Sequence, residues 1–292
     1  MTERHAVANG NINDTATWNG GTLPDPGDDL FANNFTVTVN VNWTANSVST
    51  RAGTTAVAGG RFDIANGVTL TAEVRPGSSE CVRFTGNTPN AATITGNILP
   101  SNTTMSSAYG ARLEGTGTLT INGNVTANSL NATNQATVFA GNGVNGNIII
   151  NGDVIGSSGA NTFAVFSPQC VVTVNGDVYA GTVGGNHSIN LQLGTASCIV
   201  NGRVIGNNVA GNGGSNVLAK AIFCSQQTSL VRVREIVCGD RGDFPISGPF
   251  KFLTQVDALL EAIDAADARF ELVKAVSAGG LFNRSIQSGG SL

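Results

Sequence analysis

Thr118-Leu119-Thr120-Ile121-Asn122-Gly123-Asn124-Val125 is a short alternating strand, an Asn-Gly turn and one further apolar residue, and the phrase returns along the chain. Ile148-Ile149-Ile150-Asn151-Gly152-Asp153-Val154, Val172-Thr173-Val174-Asn175-Gly176-Asp177-Val178 and Cys198-Ile199-Val200-Asn201-Gly202-Arg203-Val204 are close copies. Weaker copies are Ala92-Thr93-Ile94-Thr95-Gly96-Asn97-Ile98 and Ile64-Ala65-Asn66-Gly67-Val68, and 231–237 reads as a degraded last one. The glycines Gly67, Gly96, Gly123, Gly152, Gly176 and Gly202 lie 29, 27, 29, 24 and 26 residues apart. A second phrase runs in phase: Cys81-Val82-Arg83-Phe84, Gly110-Ala111-Arg112-Leu113, Ala136-Thr137-Val138-Phe139, Phe163-Ala164-Val165-Phe166, Ile189-Asn190-Leu191-Gln192-Leu193 and Lys220-Ala221-Ile222-Phe223. Its last apolar residues step by 29, 26, 27, 27 and 30. Two phrases sharing one period are the signature of a repeat architecture.

Each unit holds two clear strands and a short third, Val154-Ile155, Val178-Tyr179 or Val204-Ile205, separated by Gly and Asn turns. Three short strands that turn the chain once make one coil of a parallel β-helix, with alternating apolar residues in the bore and Thr, Ser and Asn outside. A coil of about 27 residues predicts the right-handed kind, since left-handed hexapeptide coils are shorter. The fold class is therefore all-β, a right-handed parallel β-helix with an N-terminal β cap. Asn before Gly suits a corner needing positive φ. Stacked copies Asn122, Asn151, Asn175 and Asn201 are expected to form a side-chain amide ladder at the strand spacing of about 4.8 Å.

The composition agrees. Of 292 residues, 38 are Gly and 33 Asn, while only 34 are charged (15 Lys or Arg, 19 Asp or Glu), about half the usual share. The 41% hydrophobic content sets the chain apart from a disordered one. A net charge of −4 with three lysines argues against a basic nucleic-acid surface. No apolar run approaches the roughly 20 residues that span a bilayer, so no membrane insertion is expected. The opening Met1-Thr2-Glu3-Arg4-His5 has no apolar stretch behind it and does not read as a secretory signal. Between Gly86 and Ala219 only Arg112, Glu114, Asp153, Asp177 and Arg203 are charged, where a freely solvated domain has far more.

Residues 1–60 differ from the coils of 61–248 and read as a cap, which a solenoid needs over its open end. Trp18 and Trp43, the only tryptophans, suit that plug. Here Trp18-Asn19-Gly20-Gly21-Thr22-Leu23-Pro24, the pair Asp28-Asp29, the strand Thr36-Val37-Thr38-Val39 and Gly59-Gly60-Arg61-Phe62 follow one another. This order resembles the opening of β-helix proteins found in tailed-phage virions and in some secreted β-helix proteins. With the coils, the resemblance covers about residues 15–205.

After Gly248-Pro249 the chain runs without Gly or Pro to about Ser277, which predicts a helix over 249–278, followed by a Gly/Ser-rich tail, 279–292. Phe252, Val256, Leu259, Ile263, Ala266, Phe270 and Val273 step by 4 and 3 alternately, a heptad seam. The seam serves either trimerisation or a cap on the last coil.

Few residues suggest chemistry. Asp153 and Asp177 occupy equivalent positions in adjacent coils, a spacing close to that of a retaining glycosidase, yet Asn124 and Arg203 take the same place in neighbouring coils, as at an ordinary turn. Asp28-Asp29 could hold a cation, but acidic residues in a Gly/Pro turn more often cap amides. Cys81, Cys170, Cys198, Cys224 and Cys238 are an odd set without metal-ligand spacing and read as small buried apolar residues. His5 and His187 lie beside no nucleophile motif, and Arg241-Gly242-Asp243 is a tripeptide common by chance. No catalytic, metal or cofactor site is expected.

The resemblance implies a non-enzymatic structural virion protein of a tailed phage: a fibre, spike or capsid appendage made in the host cytoplasm. Its expected partners are two further copies of itself in a homotrimer, other virion proteins, and a host-surface glycan. The alternatives are a carbohydrate-active β-helix enzyme (a capsule depolymerase or lyase) and a secreted bacterial adhesin.

Overall fold

The computed structural model describes residues 2–50, 60–77, 80–100, 109–127, 135–140, 145–156, 162–181, 187–191, 196–205, 220–224, 229–237, 246–247, 250–254, 260–262 and 270–272. They form a parallel β-solenoid, as the repeat predicts. One sheet stacks Glu3–His5, Asp29–Phe31, Trp43–Ser49, Thr69–Arg75, Ala91–Thr95, Thr118–Asn122, Asn147–Ile150, Val171–Val174 and Ser197–Ile205, and continues to Ser229–Val237 and Phe250–Thr254. The second stacks Gly10–Asn11, Thr36–Val39, Arg61–Ile64, Val82–Thr85, Ala111–Glu114, Gln135–Ala140, Thr162–Ser167, His187–Leu191, Lys220–Cys224 and Ile246–Ser247. The short third strands Val125–Thr126, Val154–Ile155 and Val178–Tyr179 stack in parallel and join the first sheet at Ser197–Ile205.

The core is a set of columns, each carrying one inward residue per coil. Leu70, Ile94, Ile121, Ile150, Val174 and Val200 form one in strict register, all fully buried. Val48, Val74, Ile98, Val125, Val154, Val178 and Val204 form another at the third corner. Burying each such side chain contributes about 1.5–3 kcal/mol, which is why the β-branched residues of the repeat fall on one face of each strand.

Strand pairing runs without a break across residue 60: Glu3–His5 pairs with Asp29–Phe31, and Thr36–Val39 with Arg61–Ile64. The N-terminal segment is thus made of coils itself. Trp18, buried and bridged to Ala6, covers their open end, its indole N–H donating to the Ile12 carbonyl at 2.9 Å. Trp43 stands within the wall, beside Leu70 in the first sheet.

The structure corrects four expectations. The weak copy at 64–68 is out of phase. Arg61–Ile64 pairs with Val82–Thr85 in the second sheet, and Gly96 lies over Ala72, not Gly67. The second phrase slips out of register from its third copy onward, since Leu113 pairs with Ala140 and not Phe139, and Ser167 with Leu191 and not Leu193. Gly123, Gly152, Gly176 and Gly202 have no positive φ; they are glycine because a Cβ there would meet the backbone of the coil beneath. Finally, the described residues of 249–278 are strands. Phe250–Thr254 pairs with Ser229–Val237 in parallel, and Leu260–Ala262 pairs with Phe270–Leu272 antiparallel. Phe252 and Phe270 are therefore strand residues, while Val256, Leu259, Ile263, Ala266 and Val273 lie outside the described residues, as does the tail 279–292. The Phe250-Lys251-Phe252-Leu253-Thr254 alternation competes with the heptad, and an open sheet edge, which offers backbone partners, decides between the two periods.

Candidate functional site

The amide ladder forms, on the outside of the solenoid. Asn151 Nδ2 donates to Asn122 Oδ1 (2.7 Å), Asn175 Nδ2 to Asn151 Oδ1 (2.5 Å) and Asn201 Nδ2 to Asn175 Oδ1 (2.6 Å); the first rung, Asn122, donates to Thr95 Oγ1 (3.3 Å). All four asparagines are solvent-exposed, so the ladder ties coils together without rescuing buried amides.

A second ladder runs two residues further on. The backbone N–H of Asn124 donates to Asn97 Oδ1, that of Asp153 to Asn124 Oδ1, that of Asp177 to Asp153 Oδ1 and that of Arg203 to Asp177 Oδ1, at 2.7–2.9 Å. Either an amide or a carboxylate oxygen can accept this bond, which explains why Asn and Asp interchange here. Arg203 also clamps Asp177 Oδ2 through Nε and Nη2 (3.1 and 2.6 Å). That guanidinium holds the Asp177 carboxyl below its ordinary pKa. Asp153 and Asp177 are thus stacked as expected, each spending one oxygen on the next coil's amide. The same device recurs where Asn9, Asn42 and Asn66 accept from the backbone of Thr36, Thr69 and Ala91, about one coil on.

Asp28 and Asp29 serve the N-terminal coils. Asp28 accepts from the amides of Asp25 and Thr2 and from Arg4 Nε; Asp29 accepts from Asn46 Nδ2 and Ser47 Oγ. Hydrogen bonding to Asp25, helped by Arg4 and Thr2 and opposed by burial, lowers the Asp28 pKa. Cys81, Cys170 and Cys198 are buried thiols whose pKa burial pushes up, so they remain protonated. Cys224 stands in a strand; Cys238 and Arg241-Gly242-Asp243 lie outside the described residues. His5 stacks on Phe31, and His187 pairs with Phe163 in the second sheet.

The most distinctive surface is one the sequence reading missed, on the outer side of the second sheet. One register column carries Asp63, Arg83, Arg112, Phe139 and Phe166. At the N-terminal end three arginines and three carboxylates interlock. Asp63 receives Arg61 Nε (2.9 Å) and both Nε and Nη2 of Arg83 (3.1 and 3.0 Å); Arg112 bridges Glu80 (3.1 Å) and Glu114 (2.7 Å). Burial would lower the Arg83 pKa, but Asp63, Glu80 and Glu114 outweigh it and raise it.

The charges then give way to rings. Tyr109 stacks on Phe139 (4.8 Å between centroids, 17°), Phe139 on Phe166 (5.3 Å, 8°), and Phe163 leans on Phe166 (5.9 Å). Arg112 lies 5.4 Å from the Phe139 centroid, joining the two halves by a cation–π contact. Tyr109, Phe139 and Phe166 are half-buried. The signal was present in the sequence: aligning the inward pairs Val82/Phe84, Ala111/Leu113, Val138/Ala140 and Val165/Ser167 places Arg83, Arg112, Phe139 and Phe166 at the intervening outward position.

Among the described residues no group of three or more His, Cys, Asp or Glu is arranged to hold a metal, and no helix is long and apolar enough to cross a membrane. Comparison with protein families, curated proteins and solved structures returns no match for this chain.

Proposed function

We propose that this chain is a structural protein of a tailed-phage virion, a β-solenoid rod working as a fibre, spike or capsid appendage within a homotrimer, in contact with other virion proteins and a host-surface glycan. The observation that carries this reading is where the polar side chains go. Two continuous ladders, Asn122 to Asn201 and Asn97 to Arg203, spend them on the neighbouring coil, as suits a rigid element. The order of cap and coils resembles that of phage β-helix proteins and supports the same assignment. A depolymerase or lyase would draw on Asp153 and Asp177, each of which already spends its Oδ1 on the coil repeat, with Asp177 Oδ2 held by Arg203.

The test is mass spectrometry and immunogold microscopy of purified particles from the phage that encodes the gene. The protein is expected in the particle at a copy number divisible by three, with label at one structural position. Its absence from particles overturns the assignment. Incubated with host capsule, the protein is expected to release no reducing ends; release that disappears in Asp153→Asn or Asp177→Asn would establish the enzyme instead.

A further inference from the structure

We infer that the outer face of the second sheet, from the Arg83 and Arg112 rows through Phe139 and Phe166, is where a second copy of this chain packs, the two solenoids lying side by side. The inference rests on the rod reading above and supplies the contact that a homotrimer needs now that Phe252 and Phe270 stand in strands.

Three features select the occupant. The first is ring orientation. Tyr109, Phe139 and Phe166 turn their faces to one another along the solenoid axis, with interplanar angles of 17° and 8°. What the row offers outward is ring edges, whereas a sugar ring stacks on an open aromatic face. Edges carry the positive rim of the ring quadrupole and pack against carbonyls, carboxylates and other rings of a protein. The second is charge. Arg61, Arg83 and Arg112 are balanced by Asp63, Glu80 and Glu114, so the cluster presents no net field to attract a polyanion and meets its own kind without repulsion. Partly buried arginine beside aromatic rings is also the composition of a protein interface core and not of ordinary surface. The third is periodicity. The column presents one side chain per coil, at the strand spacing of about 4.8 Å. A partner that engages successive rows must repeat at that spacing, and a second copy of the same solenoid does so by construction.

The test is sedimentation equilibrium of the full chain at micromolar concentration. The unsubstituted protein is expected to associate, and the double variant Phe139→Ser with Phe166→Ser to associate about tenfold more weakly or not at all while its β-sheet circular dichroism persists. A second measurement does not depend on removing rings. Thr85→Cys, exposed and paired with Glu114 on this face, is expected to give a covalent dimer under mild oxidation, whereas Thr120→Cys on the first sheet and the unsubstituted chain are not. An unsubstituted protein that sediments as a monomer, or cross-linking through Thr120→Cys but not Thr85→Cys, overturns the inference. A monomer that binds a glycan through this face also overturns it. Self-association through this face by a protein absent from virions would leave the inference standing and remove the virion reading.

Discussion

Asn175 is held from both sides, donating to Asn151 and accepting from Asn201. A net contribution of about 0.5–1.5 kcal/mol per hydrogen bond makes Asn175→Ala cost about 1–3 kcal/mol, read as a lower urea midpoint; an unchanged midpoint would show that water replaces the rung without loss. Asp28 gives the chain a pH dependence of known sign. Its folded carboxyl lies below the ordinary value of 3.8, so the stability it lends is complete above that value and drains as the pH falls through the folded value. Acid is therefore expected to loosen the N-terminal coils, and Asp28→Asn to flatten that part of the pH profile. A profile unchanged by the substitution would place the acid sensitivity elsewhere.

Between coils, the spacing of two backbones sets which residues are allowed. A Cβ at Gly176 would press on the Gly152 carbonyl of the coil beneath, so Gly176→Ala is expected to cost about 1–3 kcal/mol by thermal denaturation. Gly27 faces open space with an ordinary φ, and Gly27→Ala should stay within about 0.5 kcal/mol of the parent. Comparable losses in the two variants would mean that chain flexibility, not contact between coils, is what these glycines supply. The existence of the strands and their period were legible in Thr118–Val125 and its copies. Their register was legible only where an Asn-Gly corner pins it. The second-sheet strands are followed by no Asn-Gly corner that repeats from coil to coil, and Phe84, Leu113, Phe139 and Phe166 look equivalent because all are large and apolar. A one-residue slip sends every side chain to the opposite face, which is how the outer aromatic row escaped notice.

A solenoid's coils touch only their neighbours, so its stability is close to a sum of local terms and its ends decide where unfolding begins. Trp18 is the largest buried side chain at the N-terminal end. Trp18→Ala is expected to cost about 3–5 kcal/mol. Hydrogen exchange should then rise first in Glu3–His5 and Gly10–Asn11, with Val171–Val174 protected until global unfolding. Uniform loss of protection along the chain would show that the coils unfold as one unit instead.

The sequence alone determined the repeat, the parallel stacking of coils and the asparagine ladder, because each follows from periodicity and from the bonding capacity of an amide repeated at one corner. It also marked Asp28 as a residue that caps backbone amides and the Asp153/Asp177 pair as an ordinary turn position, and both readings match the bonds their carboxylates make, whereas Asp29 bonds to the side chains of Asn46 and Ser47. Tertiary structure alone decided which side of the second sheet Phe139 and Phe166 take, since that depends on which neighbouring strand they pair with. It decided that Gly123, Gly152, Gly176 and Gly202 are dictated by the coil beneath and not by their own φ. It also decided that Phe250–Thr254 is a strand. The heptad and the two-residue alternation coexist in those letters, and only the unpaired edge of Ser229–Val237 supplies the hydrogen-bond partners that favour one period over the other.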